Sequence, residues 1–133
     1  VSTGPAIRGD IDLPHVVAQV RAELDRYEAA LVANDIGTLV EQFWDDDATM
    51  RIGPGETLHG ACEITAFRLG RPPRDVARSV DRVTITTFGE DVGLATVEFT
   101  RTSTGRQGRQ SQTWVRFPQG WRVVHAHVSL SNA

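Results

Sequence analysis

The 14 basic residues of this chain are all arginine. A guanidinium group grips a carboxylate through two parallel hydrogen bonds, which the point charge of lysine does not do. An all-arginine set therefore suits the capture of small carboxylates. A genome rich in G and C gives the same bias, and composition does not separate the two causes. Position adds more. All 17 acidic residues lie at or before Glu98, and Arg101, Arg106, Arg109, Arg116 and Arg122 follow with no acid among them. Arg68 and Arg71, three apart near the end of a helical pattern, share one side of that helix. Their charge suits the negative end of a helix dipole, and equally the mouth of a cavity that receives an anion. We assign Arg68, Arg71 and Arg109 to substrate binding.

Groups able to move protons are few. Glu98 lies mid-strand between Val97 and Phe99 and shares a face with Thr96 and Thr100. A carboxylate there is either exposed, paired, or placed in a cavity beside an arginine as acid, base or orienting group. His125 and His127 stand two apart, on one face of a strand. They suggest a metal pair, but His15 and His59 belong to other elements and no third ligand follows at suitable spacing. No metal and no cofactor is expected, and His127 is read as a proton carrier. Ser111 lacks the turn context of a hydrolase nucleophile and is read as a binding group with Gln112. Trp44 and Trp114 are core or cavity walls. Cys62 has no neighbouring base in sequence and reads as an inert thiol.

At 133 residues, with 40 % apolar and 23 % charged side chains, the chain has the size and composition of one globular domain. A net charge of −3 gives nucleic acid no overall grip. No apolar run approaches the ~20 residues that span a bilayer, and residues 1–12 have neither the basic start nor the apolar stretch of a secretory signal. The expected setting is cytoplasmic, without membrane or nucleic-acid partners.

The elements that must position these groups follow from hydrophobic period. Residues 1–11 read as a flexible arm and residues 12–133 as the domain. Asp12 is a candidate N-cap ahead of Pro14. Val16, Val20, Leu24, Tyr27 and Leu31 recur at helical spacing, which predicts a helix over 13–33. Asn34-Asp35 breaks it and caps a second helix carrying Leu39, Phe43 and Trp44. Asp45-Asp46-Asp47 is a solvated turn, with metal binding as the alternative. A short strand over 48–52, a third helix over 60–69 stopped by Gly70 and Pro72-Pro73, and strands over 77–88, 94–102, 110–117 and 121–130 complete the order. Helices followed by hairpin-linked strands predict an α+β fold with three helices on a strongly bent antiparallel sheet. Period 2 gives two candidate inner faces to each of the last two strands, and one slip of register exchanges them.

That order, with the stretches RYEAAL, ND and Phe43 through Asp47-Ala48-Thr49, resembles the cone-shaped fold of nuclear transport factor 2, ketosteroid isomerase and the SnoaL-like proteins, the cystatin-like superfamily. WRVVHAHVS (121–129) is similar to the last strand of the association hub of calmodulin-dependent kinase II. A narrower likeness covers nearly the whole chain past Asp12. RYEAALVAND, AFRLGRPP, TITTFG and GRQSQTWVRFPQGWRVV-AHVSL resemble the AtzH-like family, met in oxalurate and s-triazine catabolism. The resemblance to isomerases places Tyr27 where they carry an oxyanion-hole tyrosine. Their aspartate base falls at Ile52, beside Arg51, and steroid isomerisation needs a carboxylate there. The hub's pocket arginines fall at Glu98, Gln112 and Val128, so that pocket does not carry over.

These readings predict a cavity between sheet and helices that holds a small carboxylate or carboxylated amide. Arg68, Arg71, Arg109, Ser111, Gln112, Trp114 and Trp44 would bind it, and Tyr27, Glu98 or His127 would move protons. The AtzH-like resemblance implies a role beside the breakdown of carboxylated ureas without saying which step. The expected function is a hydrolase or decarboxylase acting on a small carboxylated urea or amide, with a non-catalytic dimeric binding protein accompanying an amidohydrolase as the alternative. Apolar residues on both parities of the last strand predict a homodimer.

Overall fold

A computed structural model describes residues 10–71 and 77–132. Most of the expected arm and the Pro72-Pro73 pair lie outside these residues. The elements run α1 (Pro14–Ala33), α2 (Ile36–Glu41), β1 (Met50–Ile52), β2 (Thr57–His59), α3 (Gly60–Gly70), β3 (Arg78–Phe88), β4 (Val92–Arg101), β5 (Gln107–Phe117) and β6 (Gly120–Leu130). The strands form one six-stranded sheet in the order β2-β1-β6-β5-β4-β3. This is the expected α+β architecture, with two differences. β2 is a strand that the sequence pattern did not mark, folded back antiparallel on β1 through the Gly53-Pro54-Gly55 turn. β1 itself joins β6 in parallel, so the sheet is mixed and not wholly antiparallel.

The apolar stripe of α1 is buried as its spacing predicts: Val16, Val20, Leu24, Tyr27 and Leu31 all face inward. The helix ends where Asn34 turns left-handed at φ 53°, a conformation that asparagine tolerates. Asp35 then caps α2 by accepting from the Thr38 N–H at 3.2 Å. At the other end Asp12 does not cap α1. Leu13 holds the cap position without a side-chain bond. Asp12, left-handed at φ 57°, instead accepts from the Thr87 N–H at 2.8 Å and returns its own N–H to the Thr87 carbonyl at 3.0 Å. The acid that looked like a cap ties the start of α1 to β3. The second helix also ends sooner than expected, and Phe43 forms an isolated parallel bridge to Val123.

Burial alternates along β4 and β5. Ala95, Val97 and Phe99 on β4, and Gln110, Gln112 and Trp114 on β5, point to the core. On β6 a bulge breaks the alternation: Thr113 pairs with His125 but Trp114 pairs with Val123, leaving Val124 extra. Trp121 and Val123 before the bulge and Ala126 and Val128 after it therefore share the inner face. Strict period 2 would have placed His125 and His127 with Trp121. The bulge turns both histidines outward, where they are exposed. α1 crosses β4 so closely that a Cβ on Gly93 would stand 2.7 Å from Val20 Cγ2.

Candidate functional site

Antiparallel register brings Arg78 at the start of β3, Arg101 at the end of β4, Gln110 near the start of β5 and Leu130 at the end of β6 to one end of the sheet. The second half of α1, the β1–β2 turn and the C-terminal turn of α3 close over this end. Between them lies a cavity of about 270 Å³ lined by Tyr27, Arg51, Glu56, Phe67, Arg71, Arg78, Arg101 and Gln110, with Leu31, Val128 and Leu130 as apolar floor. Four arginines converge on this one small space.

Two of them are held by carboxylates. Arg78 forks onto Glu28, with Nε 3.1 Å from one oxygen and Nη2 bonded to the other, and it lies over the Phe99 ring. Arg51 donates to Glu56 at 2.9 Å and lies over Phe67. Both pairs are sheltered, since the arginine side chains are 6 % exposed in each. Among the described residues no carboxylate pairs with Arg71 or Arg101 side chains. Burial first, and then the charges of Arg68, Arg51 and Arg101, bring the Arg71 guanidinium below its usual value. The field of the cavity is positive, which suits an anion.

Behind the lining, Arg68 is 2 % exposed and donates from Nη2 to the Tyr27 hydroxyl oxygen at 2.8 Å. Burial pushes the Tyr27 phenol up, but the charges of Arg68, Arg51 and Arg78 outweigh it and leave the phenol below the ordinary tyrosine value. Arg68 Nε and Gln110 Nε2 are buried donors without a partner among the described residues, a state that costs about 1–3 kcal/mol per group unless something accepts from them.

The structure divides the expected site residues into three groups. Tyr27 and Arg71 line the cavity, and Arg68 touches Tyr27 from behind. Gln112 and Trp114 are on the inner face but sealed in the core, where Trp114 Nε1 donates to Gln112 Oε1 at 3.1 Å. Trp44 stacks on Phe117 at 5.5 Å and walls a separate, more apolar cavity of about 490 Å³ between α2, α3 and the β5–β6 turn. Glu98, Arg109, Ser111 and His127 are exposed on the opposite, outer face. The expected meeting of Glu98 with a cavity arginine is replaced by a loose contact to Arg82 at 3.9 Å, with both side chains largely in solvent. Their strand parity sends them outward, because their buried neighbours Val97, Phe99, Gln110, Gln112, Ala126 and Val128 take the inside.

Arg51, Arg78, Arg101, Glu28 and Glu56 were not among the expected site residues. One signal was available: Arg101 continues the parity of Val97 and Phe99, so it had to end on the inner face. Arg78 gave no such signal, because the irregularity between Val80 and Arg82 breaks the count along β3.

A mixed sheet wrapped on three helices with a cavity at one end is the NTF2-like, cystatin-like fold. The chain is similar to an NTF2-like superfamily protein from Salmonella enterica serovar Typhimurium LT2 at 22 % identity, with a TM-score of 0.73 over 90 % of this chain and 93 % of that one, a likeness of fold alone. Within this class the chain belongs to the AtzH-like family, which it matches over residues 9–133. Two solved structures are similar in sequence as well. A protein of unknown function from Pectobacterium atrosepticum SCRI1043 is 49 % identical, with a TM-score of 0.90 over 93 % of this chain and 97 % of that one. A cystatin-like fold protein from Burkholderia xenovorans LB400 is 42 % identical, with a TM-score of 0.87 over 92 % and 97 %. No curated protein matches the chain. No described helix is long and apolar enough to cross a membrane.

Proposed function

We propose that the cavity binds a small molecule whose carboxylate is carried on an amide or urea nitrogen, and that Tyr27 delivers a proton to that nitrogen as the carboxyl group leaves as carbon dioxide. The supporting observation is the Tyr27 oxygen held by Arg68 at 2.8 Å in a cavity lined by four further arginines. In this step the bond between nitrogen and the carboxyl carbon breaks, its electrons stay on nitrogen, and nitrogen takes the phenolic proton. Water restores the proton to Tyr27. The cavity arginines bind and orient the carboxylate and carbonyl oxygens, and a charged hydrogen bond of this kind contributes about 1.5–3 kcal/mol where water is excluded.

Decarboxylation is favoured over hydrolysis by the lining. Among its described residues there is no serine, threonine, cysteine or histidine, and the one carboxylate, Glu56, is engaged by Arg51. The same absence of a nucleophile supports a second reading, in which the protein binds such a ligand without turnover and accompanies an amidohydrolase. Calorimetry with malonate, oxalurate and allophanate, together with carbon dioxide release from allophanate, separates the two. Binding that weakens at least tenfold in Arg71→Ala and Arg101→Ala is expected, and equal binding in parent and variants would overturn the site. We further propose a homodimer packed through the outer sheet face, where Leu94 is exposed among threonines and serines. Sedimentation as a monomer at micromolar concentration would exclude it.

A further inference from the structure

Arg68 is buried in the last turn of α3, and among the described residues no carboxylate pairs with it. Its guanidinium carbon stands 5.9 Å from the centre of the Tyr27 ring and 6.0 Å from that of Phe43. Ring faces soften the burial of a cation, but a buried charge without a counter-charge remains costly. Among the described residues, the one polar atom that the Arg68 guanidinium reaches is the Tyr27 oxygen, at 2.8 Å.

The direction of that bond is fixed by chemistry. A guanidinium has donors only, so the phenol oxygen must accept, and the phenolic proton is not spent on Arg68. We propose that Arg68 is the positioning residue for proton transfer by Tyr27: it fixes the phenol oxygen as an acceptor, leaves the phenolic proton directed to the cavity, and becomes the counter-ion of the phenolate that proton loss leaves. The proton goes to the ligand's nitrogen, or to hydroxide in the free protein, and the electron pair of the O–H bond stays on oxygen. This inference rests on the reading of Tyr27 as proton donor but can be tested without a ligand.

Other charges face Tyr27 and are part of its balance. Arg51 of β1 is held by Glu56 of the β1–β2 turn, and Arg78 of β3 is held by Glu28 of α1. Arg71, just after α3, and Arg101 of β4 complete the set, while β5 and β6 bring only Gln110, Val128 and Leu130 to the lining. Arg68 differs from these in direct contact with the oxygen. The net lowering of the Tyr27 phenol by its arginines, against the opposing effect of burial, agrees with such a partnership.

Tyr27 is the only tyrosine in the chain, so the near-ultraviolet absorbance of phenolate reports it alone. Spectrophotometric titration of the full chain, with circular dichroism to confirm that it stays folded, is the test. The parent midpoint is expected below 10.0, the ordinary value. Arg68→Met should raise it by about one pH unit or more, the size of a lost close charge, and Arg68→Lys should restore part of the shift. If Arg68→Met does not fold, Arg68→Gln keeps a donor while removing the charge, and the same rise is expected. A parent midpoint at or above the ordinary value, or an unmoved midpoint in the folded variant, overturns the proposal. No ligand enters this titration, so failure of small carboxylates to bind or react would sink the functional reading while leaving this result to stand on its own.

Discussion

Arg78 on β3 and Arg101 on β4 are direct cross-strand partners, and both line the same cavity. Like charges opposite one another in a sheet oppose folding by a few tenths to about 1 kcal/mol. Glu28 relieves Arg78, but no described carboxylate does the same for Arg101. A fold would gain from removing this second charge, which is the pattern expected where a binding site is maintained against stability.

Arg101→Met should therefore leave the protein as stable as the parent or more so, by up to about 1 kcal/mol, while carboxylate affinity falls at least tenfold. Thermal denaturation and calorimetry on the same preparation check both halves. A variant that binds like the parent shows that Arg101 does not face the ligand.

Glu28 is the counter-charge for an arginine only 6 % exposed. Glu28→Gln leaves that guanidinium buried without its partner, which costs about 3–5 kcal/mol and lowers Tm by about 10–20 °C. Adding Arg78→Met removes the stranded charge, so the double variant should recover part of the loss. A double variant no more stable than Glu28→Gln alone would show that the pair is not the source of the effect.

Glu56 lies on Arg51 where a ligand carboxylate would bind, and the absence of a side chain at Gly53 makes room for it. A Cβ on Gly53 would stand 1.8 Å from Glu56 Oε1. Glu56→Gln removes a competing negative charge from the cavity and should tighten carboxylate binding several-fold. Gly53→Ala, which pushes the same carboxylate aside, should act in the same direction. Weaker binding in both would mean that Glu56 orients Arg51 for the ligand instead of competing with it.

Much of the fold was legible because it rests on period and capping. The α1 stripe from Val16 to Leu31, the Asn34-Asp35 break and the four long strands all follow from residue spacing. The site was harder to read, for three physical reasons. One extra residue at Val124 reverses parity on β6, and nothing in WRVVHAHVS announces a bulge. Asp12 has the right chemistry for a helix cap but spends its carboxylate on Thr87 of a distant strand. The cavity arginines come from four places in the fold, β1, the end of α3, β3 and β4, so Arg51, Arg78 and Arg101 meet only through sheet register, whereas the conspicuous Arg68–Arg71 pair is local in sequence. Spacing alone shows that pair, whereas the others come together only once the register is known.

The alkaline behaviour of ligand binding follows from Tyr27. Burial alone would raise its pKa, but Arg68, Arg51 and Arg78 lower it below 10.0 in the free protein. A bound anion opposes those charges and favours the protonated phenol, so binding must raise the Tyr27 pKa again. By linkage, affinity is constant while the phenol is protonated in both states and falls as pH rises through the midpoint of the free protein. The stability of the unliganded fold runs the other way. A depressed acid contributes stability that is complete above the unfolded-state value and is lost as pH falls through the folded one. Tyr27→Phe removes the titrating group and should flatten both trends over that window. Calorimetry across alkaline pH on parent and variant measures the first, and denaturant titration measures the second. Equal slopes in parent and Tyr27→Phe would place the titrating group elsewhere and remove Tyr27 from the site.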